Sequence, residues 1–226
     1  MNSKKEIFDL VKNRGATYAF LSRMFKEELT KELIKNMTND DFIKHIRALD
    51  ESFSDSEMSD GFRVLGEFLN SIKSGDIEKV DQDLRVEYTR LFLLAGGVHP
   101  YESVYLGEEG LLMGEPWKKV KAMYRGAGLA KSEKELEPED HIAFELMFMS
   151  YLCDKATEAF EKEEDASDLL QLQRGFLNDH LLRWIPDFCD DVVKNKPYFY
   201  KGIAKITKDF MLLERDLIDE ILESRP

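Results

Sequence analysis

The sequence predicts an all-α fold, a single helical-bundle-like domain of about eight to ten helices. Apolar residues recur three or four positions apart along nearly the whole chain, which is the period of an amphipathic helix. No stretch sustains the period-two alternation of a half-buried strand, and six prolines in 226 residues leave room for long helices. A chain of this length buries about 70–75% of its unfolded surface, so we expect it to fold without a disulfide or a metal.

The N-terminal half is predicted to contain five helices. Their apolar faces lie near residues 7–25, 29–37, 42–49, 62–72 and 77–92. Asn39 or Asp40 is expected to cap the third helix and Asp76 the fifth, because their side-chain oxygens accept from unpaired backbone N–H groups. Residues 52–59 are serine-rich and acidic and are expected to form a loop, and Gly75 is expected to end the fourth helix.

The C-terminal half is predicted to contain the remaining helices. Their apolar faces lie near residues 117–124, 142–160, 169–177, 188–192 and 199–221. Pro116 and Pro138 are each expected at the first position of a helix, where the missing N–H costs nothing. Pro186 is expected to restart a turn or helix, Pro197 precedes the last helix, and Ser167 is expected to act as an N-cap.

Two stretches interrupt the helical pattern. Residues 96–115 are rich in glycine yet carry aromatic residues, and a loop of this length is more often functional than idle. Residues 130–137 are charged and lack apolar periodicity, so we expect a hinge between an N-terminal part, 1–129, and a C-terminal part, 138–226. Exchange of the helices after the hinge would remake every interface in a partner chain, so a domain-swapped homodimer is expected.

Charge and composition exclude several classes of protein. The net charge is −13, which opposes nucleic-acid binding, because phosphate affinity depends on Lys and Arg. Cys153 and Cys189 are far apart and form no CxxC pair. The N-terminus lacks the apolar core of a secretory signal, and no apolar run approaches the 18 or so residues of a membrane span. We therefore expect a soluble, cytoplasmic protein.

Motifs of catalysis are largely absent. The sequence has neither a phosphate-binding GxxxxGK[ST] loop nor a GxSxG elbow. His141 and Glu145 lie four residues apart on a predicted helix, but one such pair falls short of a di-iron site. We therefore expect no catalytic residues, no metal and no cofactor. A metal-dependent hydrolase that uses His141 with Glu145 or Asp140 stays open as an alternative, as does an acidic helical adaptor for some basic segment.

Two segments carry the functional hypothesis. Residues 97–106 combine glycines, a proline and closely spaced aromatics, which suits a loop folded onto a helical surface, for binding or for stability alone. Residues 136–141 combine a proline, three acids and a histidine, which suits either helix capping or a cluster of acceptors for Arg or Lys from a partner. The residues themselves leave both interpretations open for each segment.

These segments, in this order, resemble the TorD/DmsD family of redox-enzyme maturation chaperones, which includes NarJ-like members. The matching runs are YTRLF at 88–92, HPYESVY at 99–105, EPEDH at 137–141, HLLRWIP at 180–186 and PYFY at 197–200. The similarity covers most of the chain and is strongest over residues 88–149. The EPEDH element followed by Glu145 and Leu146 is its most specific part.

The resemblance implies a cytoplasmic all-helical chaperone that is not an enzyme. Members of the family bind the twin-arginine signal peptide of a molybdenum-dependent oxidoreductase, and often its folded body, and hold back export until the molybdopterin cofactor is inserted. By resemblance, the leader-binding surface corresponds to Tyr101, Tyr105, Gly128, Asp140 and His141. The same two segments add Glu102, Ser103 and Glu137 to the expected site.

Overall fold

A computed structural model describes residues 4–53 and 59–224, and every regular element within them is helical. The α-helices are α1 (Lys4–Lys26), α2 (Lys31–Met37), α3 (Asp40–Ser52), α4 (Ser59–Ile72), α5 (Ile77–Tyr88), α6 (Glu102–Leu106), α7 (Glu115–Gly126), α8 (Ile142–Glu161), α9 (Ser167–Phe176), α10 (Leu182–Lys194) and α11 (Phe199–Glu223). The π-helical turns Thr89–Leu93 and Leu177–Leu181 extend α5 and join α9 to α10, which leaves ten continuous helical segments in this part of the chain. The predicted all-α fold is confirmed.

Most of the loop predicted at residues 52–59 lies outside the described residues. Ser52 is the last residue of α3, Ser59 is the first of α4, and residues 54–58 are not described. Within the described ranges, no helix is both long enough and apolar enough to cross a membrane.

The described residues fall into two compact units. The first contains residues 4–26, 100–185 and 211–224, and the second contains the remainder. Residues 130–137 lie inside the first unit, and their role as a hinge stays a prediction.

The first unit is built on the packing of α1 against α8. Gly15 permits the close approach, because an added Cβ would lie 3.0 Å from the Cβ of Cys153. Two buried serines join the helices: Ser150 donates to the carbonyl of Gly15 at 3.0 Å, and Ser22 donates to the carbonyl of Ala143 at 2.7 Å. The N-terminal end of α8, where the candidate site begins, is therefore fixed to α1.

A buried ion pair ties the last part of α11, from residue 211 on, into the same unit. The Arg14 guanidinium on α1 donates from Nε and Nη2 to Glu214 of α11 at 2.8 Å, and both side chains are almost fully buried. The Tyr18 hydroxyl donates to the same carboxylate at 2.7 Å, and Arg14 Nη1 donates to Gln173 of α9 at 2.9 Å. Removal of either charged partner would leave a buried charge unpaired, so the loss of Arg14 or Glu214 should be strongly destabilising.

In the second unit, a distant carboxylate caps the start of α11. Glu87 of α5 accepts from three successive backbone N–H groups, those of Tyr198, Phe199 and Tyr200, at 2.6–3.0 Å. The first N–H groups of a helix have no partner within it, so an acceptor from elsewhere in the fold satisfies them. The Tyr200 ring also packs edge-on against Phe92, with centroids 5.0 Å apart.

The helix boundaries confirm some predicted caps. Asn39 caps α3 by accepting from the N–H of Phe42 at 2.7 Å, and Asp76 caps α5 by accepting from that of Glu78 at 2.9 Å. At α9 the predicted cap, Ser167, is the first helical residue, and its N–H donates to Asp165 at 2.8 Å.

Three other boundaries differ from the prediction. Pro138 does not begin a helix: it lies in a turn closed by the His141 N–H on its carbonyl at 3.1 Å, and α8 begins at Ile142. Pro186 does not restart a helix: it lies inside α10, which follows directly on the π-helical turn Leu177–Leu181. The region 96–115 is not all loop, because it contains the short helix α6.

Candidate functional site

The two segments singled out in the sequence lie side by side in the first unit. Tyr101 and His141 form an antiparallel backbone bridge. The Glu102 N–H donates to the carbonyl of Asp140 at 3.0 Å, and the Ile142 N–H donates to that of Pro100 at 2.9 Å. The structure thus joins the start of α6 to the start of α8 across about forty residues of sequence.

Asp140 is a buried cap for α6. Its side chain is fully buried, and Oδ2 accepts from the backbone N–H of Ser103 at 2.8 Å. Burial raises the pKa of the Asp140 carboxyl. Its Oδ1 and the Ser103 hydroxyl are both buried without a hydrogen-bond partner in the described part of the chain. Neither Asp140 nor Ser103 presents surface to a partner in this conformation.

His141 is the N-cap of α8. Its Nδ1 accepts from the backbone N–H of Ala143 at 3.1 Å, and the side chain is almost fully buried. Burial, and to a smaller extent the nearby charge of Lys26, lower the pKa of His141 to about 4. The imidazole is therefore neutral at pH 7, and its ring lies edge-on to Tyr101 with centroids 5.2 Å apart.

Behind α6 lies a buried pair of carboxyl groups. Glu102 is in contact with His180 Nδ1 at 2.9 Å, and Glu145 accepts from Trp184 Nε1 at 2.9 Å. Burial, followed by the proximity of Glu102, raises the pKa of Glu145 well above its ordinary value. Glu145 Oε1 meets no N–H or hydroxyl donor in the described residues, which also favours the neutral form of this carboxyl.

The metal-hydrolase alternative depends on His141 and Glu145, and both are committed to other contacts. The His141 Nδ1 accepts from the helix backbone, and Glu145 is fully buried against Trp184 and Glu102. Among the described residues, no group of three or more His, Cys, Asp and Glu side chains has the spacing of a metal site.

The accessible part of the predicted site consists of Tyr101, Tyr105, Glu137 and Gly128. The Tyr101 hydroxyl donates to the Glu137 carboxylate, and both side chains are half-buried. Tyr105, also half-buried, packs against Trp184 with ring centroids 5.5 Å apart. Gly128 is exposed with φ +75°, a conformation that favours glycine, and it follows the end of α7.

Three residues of α7 that the sequence did not predict as part of the site hold the 137–141 segment in place. Trp117 Nε1 donates to Glu139 at 2.6 Å, and the Lys121 ammonium pairs with the same carboxylate at 2.8 Å. The Tyr124 hydroxyl donates to the backbone carbonyl of Glu139 at 3.1 Å. The signal that could have found them is their spacing, since positions 117, 121 and 124 lie on one face of a helix.

An open cleft of about 480 Å³ lies beside this site, also within the first unit. Its walls are mainly apolar and include Phe144, Met147 and Tyr151 of α8 together with residues 129–132. Lys26 of α1 and Glu135 both line the cleft and pair at 2.9 Å.

These features define an all-helical protein that presents an aromatic and acidic surface next to an apolar cleft. The family model described as nitrate reductase delta subunit matches residues 55–190. The chaperone protein TorD of Photobacterium profundum is 30% identical over 213 residues, which cover 93% of this chain and 96% of that protein. The chaperone protein TorD of Vibrio vulnificus strain CMCP6 is 27% identical over 217 residues, which cover 95% of this chain and 98% of that protein.

The chain belongs to the nitrate reductase delta subunit family and, within it, is a TorD/NarJ-like redox-enzyme maturation chaperone. The resemblance inferred from the sequence is thereby confirmed, and the names of the relatives agree with the prediction that the chain is not an enzyme. A crystal structure of a putative redox enzyme maturation protein from Archaeoglobus fulgidus aligns with a TM-score of 0.40 at 22% identity, covering 82% of this chain and 96% of that one.

Proposed function

We propose that this chaperone acts in the cytoplasm on the catalytic subunit of a molybdenum-dependent oxidoreductase. It binds the twin-arginine signal peptide of that subunit, and the folded body as well, and holds back export until the molybdopterin cofactor is inserted. The observation that carries the proposal is the half-buried, hydrogen-bonded pair of Tyr101 and Glu137 beside an apolar cleft. Family membership and the net charge of −13 support it further.

Glu137 is the proposed acceptor for a leader arginine. A carboxylate pairs with guanidinium through two parallel hydrogen bonds, which a lysine ammonium cannot reproduce. The Tyr101 hydroxyl and the packing of Lys131, whose ammonium donates to the Glu137 carbonyl, hold this residue in place. Because this is an attraction between charges at the protein surface, salt weakens it, with a screening length of about 10 Å at 0.1 M.

The remaining predicted residues are proposed to shape this surface. Asp140 and Ser103 fix the start of α6, and His141 fixes the start of α8 and packs against Tyr101. Glu102, the first residue of α6, anchors that helix through its contact with His180. Tyr105 extends the aromatic surface, and Gly128, with φ +75°, lets the chain turn just after the end of α7.

The test is fluorescence anisotropy with a labelled synthetic peptide that carries paired arginines followed by an apolar run. Glu137→Gln should weaken binding about tenfold or more, because a hydrogen bond to a charged group contributes about 1.5–3 kcal/mol. Glu133→Gln, an exposed carboxylate in the same segment, is the matched control and should bind like wild type. Equal binding of a paired-lysine peptide at all salt concentrations would refute arginine recognition.

The client and the effect on export need a separate experiment. We expect affinity purification of the chaperone from its native host to recover a molybdenum oxidoreductase subunit that still carries its leader. Glu137→Gln should reduce the recovered amount, and Glu133→Gln should not. Recovery of only leaderless, cofactor-loaded enzyme would contradict the proposed hold on export.

A further inference from the structure

Four large apolar side chains of the second unit are exposed on and beside one helical face. Val86 and Leu93 are 60% exposed, Leu94 is 54% exposed and Tyr198 is 77% exposed. Val86, Arg90 and Leu94 recur every four residues along α5 and its π-helical extension, so they share one face, with Leu93 beside it. Exposed apolar side chains that are grouped in this way mark an interaction site more often than single ones do.

The turn between α10 and α11 lies against the same helix, also within the second unit. Arg90 Nη1 donates to the backbone carbonyl of Asn195 at 3.2 Å, and Glu87 accepts from the backbone N–H of Tyr198 at 2.6 Å. Lys196 stands between these two contacts in the sequence. The side chains form one surface patch, which consists of Val86, Arg90, Leu93, Leu94, Lys196 and Tyr198.

The charges of the patch are positive, although the chain as a whole carries −13. Arg90 and Lys196 are exposed, and neither forms an ion pair within the part of the chain that the structure describes. Of the neighbouring acids, Asp191 is paired with Lys194. Glu87 is buried and faces the first N–H groups of α11, the positive end of the helix dipole. The patch therefore favours an anionic partner.

Lys196 has an unusual backbone conformation for a lysine. Its φ of +53° lies in the left-handed region, two residues after the end of α10, where glycine is the usual residue. A side chain in this conformation is strained, so lysine is less stable here than glycine would be. Strain of this kind at an exposed cation indicates a role in binding, since it does nothing for the fold.

We propose that this patch binds the surface of a membrane that contains anionic lipids. Arg90 and Lys196 pair with lipid phosphates, the apolar members enter the interfacial layer, and the Tyr198 ring lies at the boundary between the two. Apart from the Tyr198 hydroxyl, the six members carry no neutral hydrogen-bonding group in their side chains. A fluid layer of anionic headgroups over hydrocarbon therefore fits the patch better than a protein surface, which needs directional hydrogen bonds.

The acidic remainder of the chain opposes this binding only weakly. Charges separated by more than about 10 Å are largely screened at 0.1 M salt. Asp83, which is exposed on the same helical face, lies about 10 Å before Arg90 along the helix axis and is therefore at that limit. The proposal goes beyond the leader site and does not depend on it.

Vesicle sedimentation with the full chain tests the proposal. Vesicles of phosphatidylcholine alone are compared with vesicles of equal parts phosphatidylcholine and phosphatidylglycerol. We expect the protein to sediment with the anionic vesicles at low salt, to do so less as salt rises, and to bind the neutral vesicles much more weakly. Equal binding to both kinds of vesicle, or binding to neither, would overturn the proposal.

A double variant tests the apolar contact. Leu93→Gln together with Leu94→Gln should weaken binding to the anionic vesicles at least tenfold, because two leucine side chains no longer leave water. Leu111→Gln together with Leu112→Gln changes a similarly exposed leucine pair in the first unit and is the matched control, with wild-type binding expected. Full binding by the first variant, or an equal loss in the control, would contradict a contact at the patch.

Lys196→Gly separates binding from stability. It should weaken binding to the anionic vesicles about fivefold, while the Tm stays the same or rises because glycine relieves the left-handed strain. Lys12→Gln removes the same charge from an exposed lysine of α1 in the first unit and should bind like wild type. Unchanged binding by Lys196→Gly would refute the contact with phosphates. If wild type ignores both vesicles but the Leu93 and Leu94 double variant loses a protein partner in affinity purification, the patch is a protein interface and the membrane proposal is wrong.

Discussion

Replacement of Glu145 by glutamine tests whether the buried carboxyl pair holds a proton. Glu145 is fully buried on α8, and burial together with the nearby Glu102 raises the pKa of Glu145 well above its ordinary value. In the unfolded chain a glutamate carboxyl has a pKa of about 4.3. Between the unfolded and the folded pKa of Glu145, the folded protein therefore binds a proton at this position that the unfolded chain has released.

The sign of the pH dependence follows from that difference. A group that binds more protons in the folded state contributes stability that is complete below its unfolded pKa and is lost as pH rises. The loss is at most about 1.4 kcal/mol per pH unit, and it continues up to the folded pKa. Glutamine has the shape of the neutral carboxyl, can still accept from Trp184, and does not titrate. Relative to wild type, the free energy of unfolding of Glu145→Gln should therefore increase by up to about 1.4 kcal/mol per pH unit as pH rises.

Urea and thermal unfolding between about pH 5 and pH 8 measure this gain. At about 2–4 °C per kcal/mol for a chain of this size, the Tm difference should widen by roughly 3–6 °C per pH unit. Glu158→Gln is the matched control on the same helix. Glu158 is exposed, and its pairing with Lys155 lowers its pKa, so the Tm of this variant should differ from that of wild type by a constant amount across this pH range. A constant difference between Glu145→Gln and wild type across this range would refute the protonated pair.

Three further outcomes follow from the same structure. Burial and Lys26 lower the pKa of His141 to about 4, so the free energy of unfolding should fall by up to about 3 kcal/mol as pH drops from about 6.5 towards 4. His141→Asn keeps a cap for α8 and should lose less of this free energy in urea titrations. The same pH dependence in wild type and His141→Asn would contradict a buried neutral imidazole. Asp140→Ala should lower the free energy of unfolding by about 1–3 kcal/mol, because it leaves the Ser103 N–H buried without an acceptor. Asp140→Asn keeps an oxygen at that position and should be less destabilised in thermal unfolding. Equal Tm values for the two variants would argue against the cap. The helices after residues 130–137 should exchange between chains, so size-exclusion chromatography after partial unfolding should resolve slowly interconverting monomer and dimer, and a single species throughout would remove that prediction.

The helices could be predicted well from the sequence, because the features that form a helix lie within a few residues of each other along the chain. An apolar stripe and an Asn or Asp before it are visible within a few residues, and the caps at Asn39 and Asp76 were predicted in this way. Pro138 failed as a helix start because the same sequence also suits a tight turn, with His141 as the cap of the helix that follows. Sequence alone gives little basis for choosing between a proline that starts a helix and one that starts a turn.

Non-local partners could not be predicted in this way. Asp140 caps a helix whose first residues lie about forty positions earlier, and Glu87 caps one that begins more than a hundred positions later. Which buried acid faces Glu102 likewise depends on the packing of α6 against α8 and not on spacing along either helix. The resemblance pointed to the two segments, and the structure distinguishes the residues that hold them in place from those that face outward.

Within the 137–141 segment, each polar side chain has a different task. Glu139 holds the segment to α7, Asp140 to α6, and His141 begins α8, so these three are bound inside the fold. Only Glu137, held by Tyr101, keeps a carboxylate at the surface. Changes at Asp140 or His141 should therefore weaken peptide binding in proportion to the stability they remove, because they act by moving the Tyr101–Glu137 pair. A change at Glu137 should weaken binding and leave stability nearly intact, so the relation between the two losses separates a positioning residue from an acceptor.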